Sequence, residues 1–423
     1  MRNRLSRQEI SDIFRLFLKS GTGRGEAYSS LVFYDTAMIG ERISELRRLF
    51  PDRSLHTSAV KANPLKRVME YLAGEGIGFE AASLPELRMS IDSGADSSRI
   101  VFDSPAKTAE EIRGALAAGV HINADSLPEL DRIRHLRRDI SSGSRIGIRV
   151  NPQTGEGAIL STSVAGDYSK FGIPVKSMRD ELIRIYSECD WVSGIHLHTG
   201  SQGCSLEQLV SGVRIVLDLA LEINSKSDGR ITIFDIGGGL PVQYRETDPP
   251  VTMAMYRETL GEICPELFDG HFMLITEFGR YLHANSGWAV SKVEYVKEYD
   301  RNTVMIHLGA DMFLRKCYNP DDWHHDIFVT DRNGRLREEK PLKKYTIAGP
   351  LCFAGDIIGR DVPLPEVREG DHIIVRDTGA YTLSLWSRYN SRQMPAVIGY
   401  TDPDNFIVLK EKETVGRVLD FWS

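Results

Sequence analysis

The chain has 423 residues, of which 41% are hydrophobic and 26% are charged, as is typical of globular proteins. Its 59 acidic and 52 basic residues give a net charge of −7, which argues against non-specific nucleic-acid binding, since that needs a basic face. No run of about 18 apolar residues occurs, so no membrane-spanning helix is expected. The polar start MRNRLSRQEI lacks the apolar stretch of a secretory signal. We therefore expect a cytoplasmic protein without nucleic-acid or membrane partners.

The cysteines indicate neither a structural metal site nor a disulfide framework. They are odd in number and widely spaced, and no two of them form a C-x-x-C pair. A reducing compartment and no bound metal are the expectations that follow. The five residues are Cys189, Cys204, Cys264, Cys317 and Cys352.

Short apolar or β-branched runs alternate with longer amphipathic segments over much of the chain. Most gaps between the runs contain a segment with helical periodicity, such as KRVMEYLAGEG or AEEIRGALAAG. This alternation favours a parallel sheet, and eight repeats favour closure into a barrel. The predicted fold class is therefore α/β, with a TIM-type (β/α)8 barrel. The predicted strands are 55–60, 78–82, 100–102, 120–124, 146–150, 192–198, 231–236 and 272–276.

Helix-capping motifs follow several of these strands. Ser83 and Ser126 each begin the sequence SLPEL, and Thr108 and Ser205 begin TAEE and SLEQ. A Ser or Thr followed three residues later by Glu or Gln is typical of a capping box. The motifs predict helix starts directly after strands, as a barrel of repeated βα units requires.

The pattern changes after about Tyr281. Runs such as TVMIHLG, KKYTIAGP and HIIVRDTGAY read as strands separated by turn clusters. We predict a barrel domain at 38–281, and a second, β-rich domain formed by 1–37 together with 282–423. The segment Ser29–Asp35 (SSLVFYD) is a candidate strand of this second domain.

Chemistry in such a barrel takes place at the carboxyl ends of the strands. Lys61 follows the first strand, and it is either a solvated lysine or a Schiff-base lysine whose amine pKa falls on desolvation. Gly237, Gly238 and Gly239 follow the strand ITIFDI. They form either a tight βα turn or a cradle whose N–H groups approach a phosphate.

Three further residues have two interpretations each. Glu277 either pairs with nearby Arg280 or binds the ring nitrogen of a cofactor. His198 is either a packed core histidine or a ring that stacks on an aromatic cofactor. Cys352 is either a small buried hydrophobic residue or a proton donor.

Ten motifs in order along the chain make it resemble one family. The chain is similar to the fold-type III pyridoxal-phosphate decarboxylases, and most closely to those of diaminopimelate decarboxylase type. The motifs are AVKAN (59–63), EAASLPEL (80–87), INADSLPEL (122–130), SKFGI (169–173), HTGSQ (198–202), DIGGGL (235–240), EFGR (277–280), GPLCFAGD (349–356), GAY (379–381) and YNSR (389–392).

The resemblance implies pyridoxal 5′-phosphate as cofactor and assigns four roles. Lys61 would hold the cofactor as a Schiff base, and His198 would stack on its ring. Glu277 would pair with the ring nitrogen, and Cys352 would be the general acid that reprotonates the α-carbon. It also implies a homodimer with shared active sites, in which the partner subunit supplies the cysteine segment.

The remaining cofactor contacts implied by the resemblance surround the phosphate and the EFGR motif. Gly279 and Arg280 belong to that motif, and Arg280 would contact either the phosphate or the substrate. The phosphate would be bound by Ser201, Gly237, Gly238, Gly239 and Tyr381.

An acidic residue at the ring nitrogen favours decarboxylation. Loss of carbon dioxide leaves a carbanion that needs an electron sink, and an anionic Glu277 keeps the ring nitrogen protonated and the sink strong. Alanine racemases share the barrel but place an arginine at this nitrogen. We therefore expect a carboxy-lyase. The alternatives are an amino-acid racemase or epimerase, a silent homologue and a phosphate-binding barrel without pyridoxal.

Departures from the family pattern bear on the substrate. Phe278 replaces the proline of E-P-G-R. Phe353 replaces the glutamate that, in diaminopimelate decarboxylases, pairs with the distal amine of the substrate. An apolar ring cannot neutralise a buried ammonium. Arg315 and Tyr318 resemble the family's grip on a distal carboxylate but stand one residue closer together.

We therefore expect an α-amino acid whose far end is anionic, neutral or bulky, such as a glutamyl or otherwise conjugated amino acid. Arg280, Arg315, Tyr318, Phe353 and Tyr381 are the expected substrate contacts. Diaminopimelate itself is the alternative substrate.

Overall fold

The computed structural model describes residues 3–20 and 28–423. Its strands are β1 Ser30–Asp35, β2 Leu55–Ala59, β3 Gly78–Ala81, β4 Ile100–Phe102, β5 His121–Ala124, β6 Ile146–Asn151, β7 Ile173–Pro174, β8 Val192–His196, β9 Ile233–Asp235, β10 Met273–Glu277, β11 Gly287–Lys292, β12 Tyr295–Glu298, β13 Asn302–Met305, β14 Ile327–Thr330, β15 Lys343–Ala348, β16 Ile357–Leu364, β17 His372–Arg376, β18 Ala396–Tyr400 and β19 Phe406–Lys410. Its α-helices are α1 Arg7–Lys19, α2 Thr36–Leu49, α3 Lys66–Gly74, α4 Leu84–Asp92, α5 Ala109–Ala118, α6 Leu127–Leu136, α7 Val175–Glu188, α8 Leu206–Lys226, α9 Met253–Ile263, α10 Gly279–His283, α11 Leu314–Tyr318 and α12 Val415–Trp422.

The chain divides into two compact units. One comprises residues 42–242 and 250–282, and the other comprises 1–41, 243–249 and 283–423. The segment 243–249, which the sequence placed in the barrel, groups with the β-rich unit. Backbone carbonyls explain this grouping, because Gln243 O accepts from Asn285 and Tyr244 O accepts from Arg4.

The first unit is a closed parallel barrel, as predicted. Eight strands pair in the order β2, β3, β4, β5, β6, β8, β9 and β10, and β10 pairs back onto β2. All eight predicted strands are present, with ends that differ by at most two residues. Barrel closure removes every exposed strand edge, and side chains alternate between the interior and the helix layer.

The barrel interior changes from apolar to polar within one period along its strands. Leu55, Val101, Ile233 and Ile275 form an apolar cluster inside the barrel. Two residues further along the same strands, and so on the same face, stand Thr57, Asp103, Asp235 and Glu277. This change from apolar to charged side chains indicates that the reactive end of the barrel lies at the carboxyl ends of its strands.

The predicted helix caps are present. Thr108 and Ser205 form complete capping boxes with Glu111 and Gln208. The two SLPEL motifs are variants, because each serine accepts from the N–H three residues on, while the glutamate of each bonds the N–H that precedes its serine. Orphan N–H groups at these helix starts are satisfied directly after a barrel strand.

The second unit contains a six-stranded sheet, in the order β14-β17-β11-β1-β18-β19, and a four-stranded sheet, in the order β12-β13-β15-β16. The candidate strand Ser29–Asp35 does join it, because β1 pairs antiparallel with β11 and parallel with β18. The rings of Phe33 and Trp288 stack at 4.0 Å in its core. The sequence prediction missed α1, although Ile10, Phe14 and Phe17 recur at helical spacing and are buried here.

Within residues 3–20 and 28–423, no helix combines the length and apolar character needed to cross a bilayer.

Candidate active site

Lys61 lies directly after β2, in a single turn of 3₁₀ helix at Val60–Ala62. Its ammonium pairs with the carboxylate of Glu80 on β3, and the two side chains are 46% and 1% exposed. The sequence allowed a lysine that loses its charge through desolvation. The structure shows a half-exposed ammonium instead, and a buried carboxylate fixes its direction.

Buried carboxyl groups crowd the carboxyl end of the barrel. Burial raises the pKa of Glu277 well above its ordinary value, and the carboxyl groups of Asp235 and Glu80 raise it further. Burial also raises the pKa of Asp235 to about 7. It acts in the same direction on Asp103, but Arg149 Nη1, 3.0 Å from Asp103 Oδ2, outweighs it, and the pKa falls well below its ordinary range. A cation placed beside Glu277 would therefore displace a proton.

His196 lies between two of these carboxyl groups. Its Nδ1 is 3.7 Å from Asp103 Oδ2, and its Nε2 is 3.7 Å from Glu277 Oε2. Burial lowers the pKa of His196 to about 3, so the ring is neutral. The donor atoms of the three residues lie within 4.8 Å of one another. That spacing would admit a metal ion, but the guanidinium of Arg149 already occupies the cation's place beside Asp103.

His198 stands against the glycine turn. Its Nδ1 accepts a hydrogen bond from the backbone N–H of Gly238 at 3.2 Å. Burial holds the pKa of His198 well below its ordinary value, so the imidazole is neutral. A flat, uncharged ring in a fixed orientation suits stacking on an aromatic group.

The three glycines are required by close backbone contacts. A Cβ at Gly237, Gly238 or Gly239 would lie within 2.5 Å of a neighbouring carbonyl oxygen, and Gly237 and Gly239 have φ values of +64° and +98°. The sequence expected their N–H groups to face an anion. The structure commits two of them inside the protein, because Gly237 N–H bonds Asp235 and Gly238 N–H bonds His198.

Arg280 lies beside Ser201. Its Nε and Nη2 are 3.3 and 3.2 Å from Ser201 Oγ, and Arg280 is buried. Gly279 packs on the turn that carries Lys61, since a Cβ there would lie 2.8 Å from the Cβ of Ala62. The EFGR motif therefore joins Glu277, the lysine turn and Ser201 in one wall of the barrel mouth.

Cys352 belongs to the β-rich unit, where it is exposed. The interpretation as a buried hydrophobic residue is wrong for this chain. Its loop closes around buried Asp356, which accepts from the N–H groups of Leu351 and Ala310 at 2.6 and 2.5 Å. Tyr389 Oη donates to the carbonyl of Cys352 at 2.9 Å. A rigid loop therefore presents the thiol at the surface of this unit.

Arg315 and Tyr318 lie on the same short helix, α11, but have different partners. The guanidinium of Arg315 lies between the rings of Trp323 and Tyr381, at 4.8 and 4.7 Å. Tyr318 stacks on Phe353, with ring centroids 5.2 Å apart. The residue after Cys352 thus forms part of an aromatic pair, and the expected joint grip of Arg315 and Tyr318 is divided between two clusters.

Several residues of the barrel mouth have no role predicted from the sequence. Glu80, Asp103 and Arg149 stood out only as polar strand ends, while His196 and Asp235 were hidden within the strands IHLH and IFDI. Strand periodicity could have found both, since each lies an even number of residues from a strand position that faces the interior.

Comparison with known proteins identifies the family. The family model described as "Pyridoxal-dependent decarboxylase, pyridoxal binding domain" matches residues 36–284. The chain belongs to this family of decarboxylases. It is a carboxy-lyase with pyridoxal phosphate as its cofactor, which excludes the alternative of a phosphate-binding barrel without pyridoxal.

The relatives of this decarboxylase agree along most of its length. A diaminopimelate decarboxylase of Methanothermobacter thermautotrophicus is 30% identical over 85% of this chain and 83% of its own. One of Pseudomonas aeruginosa is 31% identical over 84% of this chain and 83% of its own. The crystal structure of diaminopimelate decarboxylase from Helicobacter pylori complexed with L-lysine has a TM-score of 0.83, at 26% identity over 94% of this chain and 97% of that chain.

The residues present in the decarboxylase fit its cofactor. The carboxyl group of Glu277 is buried and has a raised pKa, as suits a group that pairs with a ring nitrogen. The glycine turn brings backbone N–H groups to the mouth of the barrel without side chains in the way, and His198 offers a flat face. Lys61 supplies the amine at the same end of the barrel.

We predict that Gly239→Ala weakens cofactor binding by at least about tenfold, equivalent to about 1.4 kcal/mol. The new Cβ would lie 2.0 Å from the carbonyl oxygen of Gly200 and would force the turn apart. Titration of the apoenzyme with pyridoxal phosphate, followed by absorbance, measures the change.

Gly94→Ala is the matched control. Its φ is +90° and no atom lies within 4 Å of the added Cβ, so it carries the backbone strain, about 1–2 kcal/mol, without the clash. Equal cofactor affinity in both variants would contradict the prediction.

Proposed function

We propose that this enzyme removes the α-carboxyl group of an amino acid whose far end is not a free amine. Lys61 holds the cofactor, and Cys352 returns a proton to the α-carbon. The observation that carries the proposal is the barrel mouth, where one lysine directed by Glu80 shares the site with the buried carboxyl of Glu277. Pyridoxal phosphate, when bound, supplies an electron sink for the electron pair left at the α-carbon.

Glu80 prepares Lys61 for its role. A lysine attacks a carbonyl only as the neutral amine, and the carboxylate of Glu80 is in place to take its proton. Because the Glu80 side chain is buried and its pKa is raised by burial, with Lys61 acting in the opposite direction, it can hold that proton as a neutral acid.

The phosphate end of the site is assigned to Ser201, Arg280 and the glycine turn. Arg280 can neutralise a phosphate while Ser201 Oγ donates to it, so we assign Arg280 to the phosphate rather than to the substrate. Since the N–H groups of Gly237 and Gly238 are engaged, Gly239 is the glycine that we assign to the anion. The resemblance assigns Tyr381 to the phosphate as well.

Glu277 sets the reaction type. Its pKa is raised by burial, so it stores a proton that the ring nitrogen takes when the cofactor binds. A carboxylate facing a protonated ring favours loss of carbon dioxide over simple racemisation, because the electron sink is then at its strongest.

Cys352 acts from a partner subunit in this proposal. Its thiol is exposed on a loop fixed by Asp356 and Tyr389, as suits a proton donor that completes the site of a second copy. The functional enzyme is then a homodimer in which each site takes Lys61 from one subunit and Cys352 from the other.

Phe353 selects the substrate. The resemblance places the residue after the catalytic cysteine at the far end of the substrate, and Tyr318 is the stacking partner of Phe353 at this position. Two aromatic faces favour an apolar, neutral or conjugated far end, since they supply no charge for an ammonium. An amino acid extended by a glutamyl or other acyl group has this chemistry.

Diaminopimelate is the second candidate substrate. Relatives at 30–31% identity over about five sixths of this chain are named diaminopimelate decarboxylases. This candidate requires another group to replace the family's glutamate at the position of Phe353.

We expect borohydride reduction of the holoenzyme to fix a pyridoxyl group on Lys61, because its amine stands at the mouth of the barrel. Peptide mapping by mass spectrometry measures the site of labelling. Lys61→Ala should lose the label and Lys66→Ala, whose lysine is 74% exposed on α3, should keep it. A label on another lysine of the wild-type enzyme would contradict the proposal.

We expect a mixture of Lys61→Ala and Cys352→Ala to recover about one quarter of the wild-type rate of formation of the decarboxylated amine, which requires both residues. Random reassortment makes half of the dimers mixed, and each mixed dimer has one intact site. Each variant alone, and a mixture of Lys61→Ala with the double variant, should remain inactive. No recovery from variants that are dimeric by light scattering would refute shared sites.

We expect Phe353→Glu to raise kcat/KM for meso-diaminopimelate by at least about tenfold, because the new carboxylate pairs with the distal ammonium. Steady-state assays of carbon dioxide release measure it, with Phe353→Gln as the uncharged control. A wild-type enzyme that already prefers free meso-diaminopimelate to its distally acylated form would reject this substrate proposal.

A further inference from the structure

Asp235 is a buried residue with no assigned role at the centre of the barrel mouth. It ends β9 and is 0% exposed. In the barrel sheet it lies beside His196 on one side, and on the other side it lies beside Ile275, two residues before Glu277 on the same face. The side chains of Asp235 and Glu277 therefore approach each other inside the barrel.

The two oxygens of Asp235 have different surroundings. Oδ1 accepts the N–H of Gly237 at 2.9 Å and so shapes the glycine turn. Oδ2 is buried, and no described residue donates a hydrogen bond to it. The same holds for Oε1 of Glu277. Two neighbouring buried acceptors without a donor are costly, and one proton placed between them satisfies both.

Other charges around Asp235 do not supply that donor. From the opposite side of the barrel, Asp103 and Glu80 add negative charge, and Glu277 on the neighbouring strand β10 faces Asp235 directly. His196 is neutral, with both ring nitrogens unbonded among the described residues. Of the two nearby cations, Arg149 bonds Asp103 and Lys61 pairs with Glu80. In the holoenzyme, where Glu277 pairs with the ring nitrogen as an anion, a proton on Asp235 is the remaining way to prevent two negative charges from facing each other.

We propose that Asp235 is a positioning residue that stays protonated in the holoenzyme and donates a hydrogen bond to Glu277. This rests on the proposed function, in which Glu277 faces the ring nitrogen. The hydrogen bond holds one oxygen of Glu277, which leaves the other for the cofactor. The same side chain ties Glu277 to the glycine turn, so that the ring-nitrogen and phosphate ends of the site keep a fixed separation.

The proposal predicts a pH dependence with a definite sign. Burial raises the pKa of Asp235 to about 7, so above neutral pH the free enzyme loses this proton. Asp235 must then regain it when the cofactor binds, since Glu277 is anionic in the holoenzyme. As pH rises further, the titration of Asp235 should then lower cofactor affinity by up to about tenfold per pH unit. The amide of Asp235→Asn is a permanent donor to Glu277, and it keeps the oxygen that accepts from Gly237.

The experiment compares the pyridoxal phosphate dissociation constants of wild-type and Asp235→Asn apoenzyme from pH 6 to 9. Lys61 and the free cofactor titrate in both proteins, so the ratio of the two constants isolates Asp235. We expect the wild type to weaken by at least about tenfold relative to the variant between pH 7 and 9. A ratio of the two dissociation constants that is independent of pH would overturn the proposal. If Asp235 had only a structural role, replacing it by asparagine would not change how cofactor affinity depends on pH.

Controls separate this inference from the proposed function. Asp311→Asn alters another buried acid, whose pKa burial raises to about 6, in the other unit, and should leave the pH dependence of the constants unchanged. A wild-type enzyme that borohydride labels at Lys61, together with a pH-independent ratio, would reject the role of Asp235 and keep the proposed function.

Infrared spectroscopy tests the same proposal without a substitution. The wild-type holoenzyme should show the carbonyl band of a buried protonated carboxyl group at pH 6.5 and should keep it at pH 8, because the bound cofactor holds the proton on Asp235. Absence of the band at pH 6.5 would overturn the proposal even if the asparagine variant did not fold.

Discussion

The barrel depends on a balance of buried charges. Four carboxyl groups, those of Glu80, Asp103, Asp235 and Glu277, are buried at one end of an otherwise apolar interior. Arg149 and Lys61 neutralise two of them, and the others keep raised pKa values. A site with more buried acid than base favours a cationic guest, and a protonated pyridine ring with a lysine-bound carbon has that character.

The geometry of strands explains how a stable fold carries this charge. The strands that supply Val101, Ile233 and Ile275 to the apolar cluster are followed, two residues later, by the carboxyl groups of Asp103, Asp235 and Glu277. The apolar cluster stabilises the barrel, while the cost of the buried polar side chains is confined to its carboxyl end. The helix caps that follow the strands satisfy their own N–H groups, so the barrel can hold a polar mouth without unpaired helix ends.

The β-rich unit contributes chemistry of another kind. Its large sheet is held by a core that includes the stacked rings of Phe33 and Trp288. On this scaffold, Asp356 closes the loop that exposes Cys352. Phe353 and Tyr318 stack beside it. The family model matches the barrel, whereas Cys352 and Phe353 lie in the β-rich unit.

The sequence by itself determined the eight barrel strands, the helix caps, the β-rich second part and the family, because hydrophobic period and capping residues act over a few neighbours. It missed α1, whose apolar positions were masked by a polar first turn. It assigned no role to His196 or Asp235, and it expected all three glycine N–H groups to face an anion. Only the tertiary structure decided these points. Strand register and burial bring together residues that are far apart in the chain. They therefore decide which carboxyl groups meet, where a proton is shared and which backbone N–H groups are already bonded.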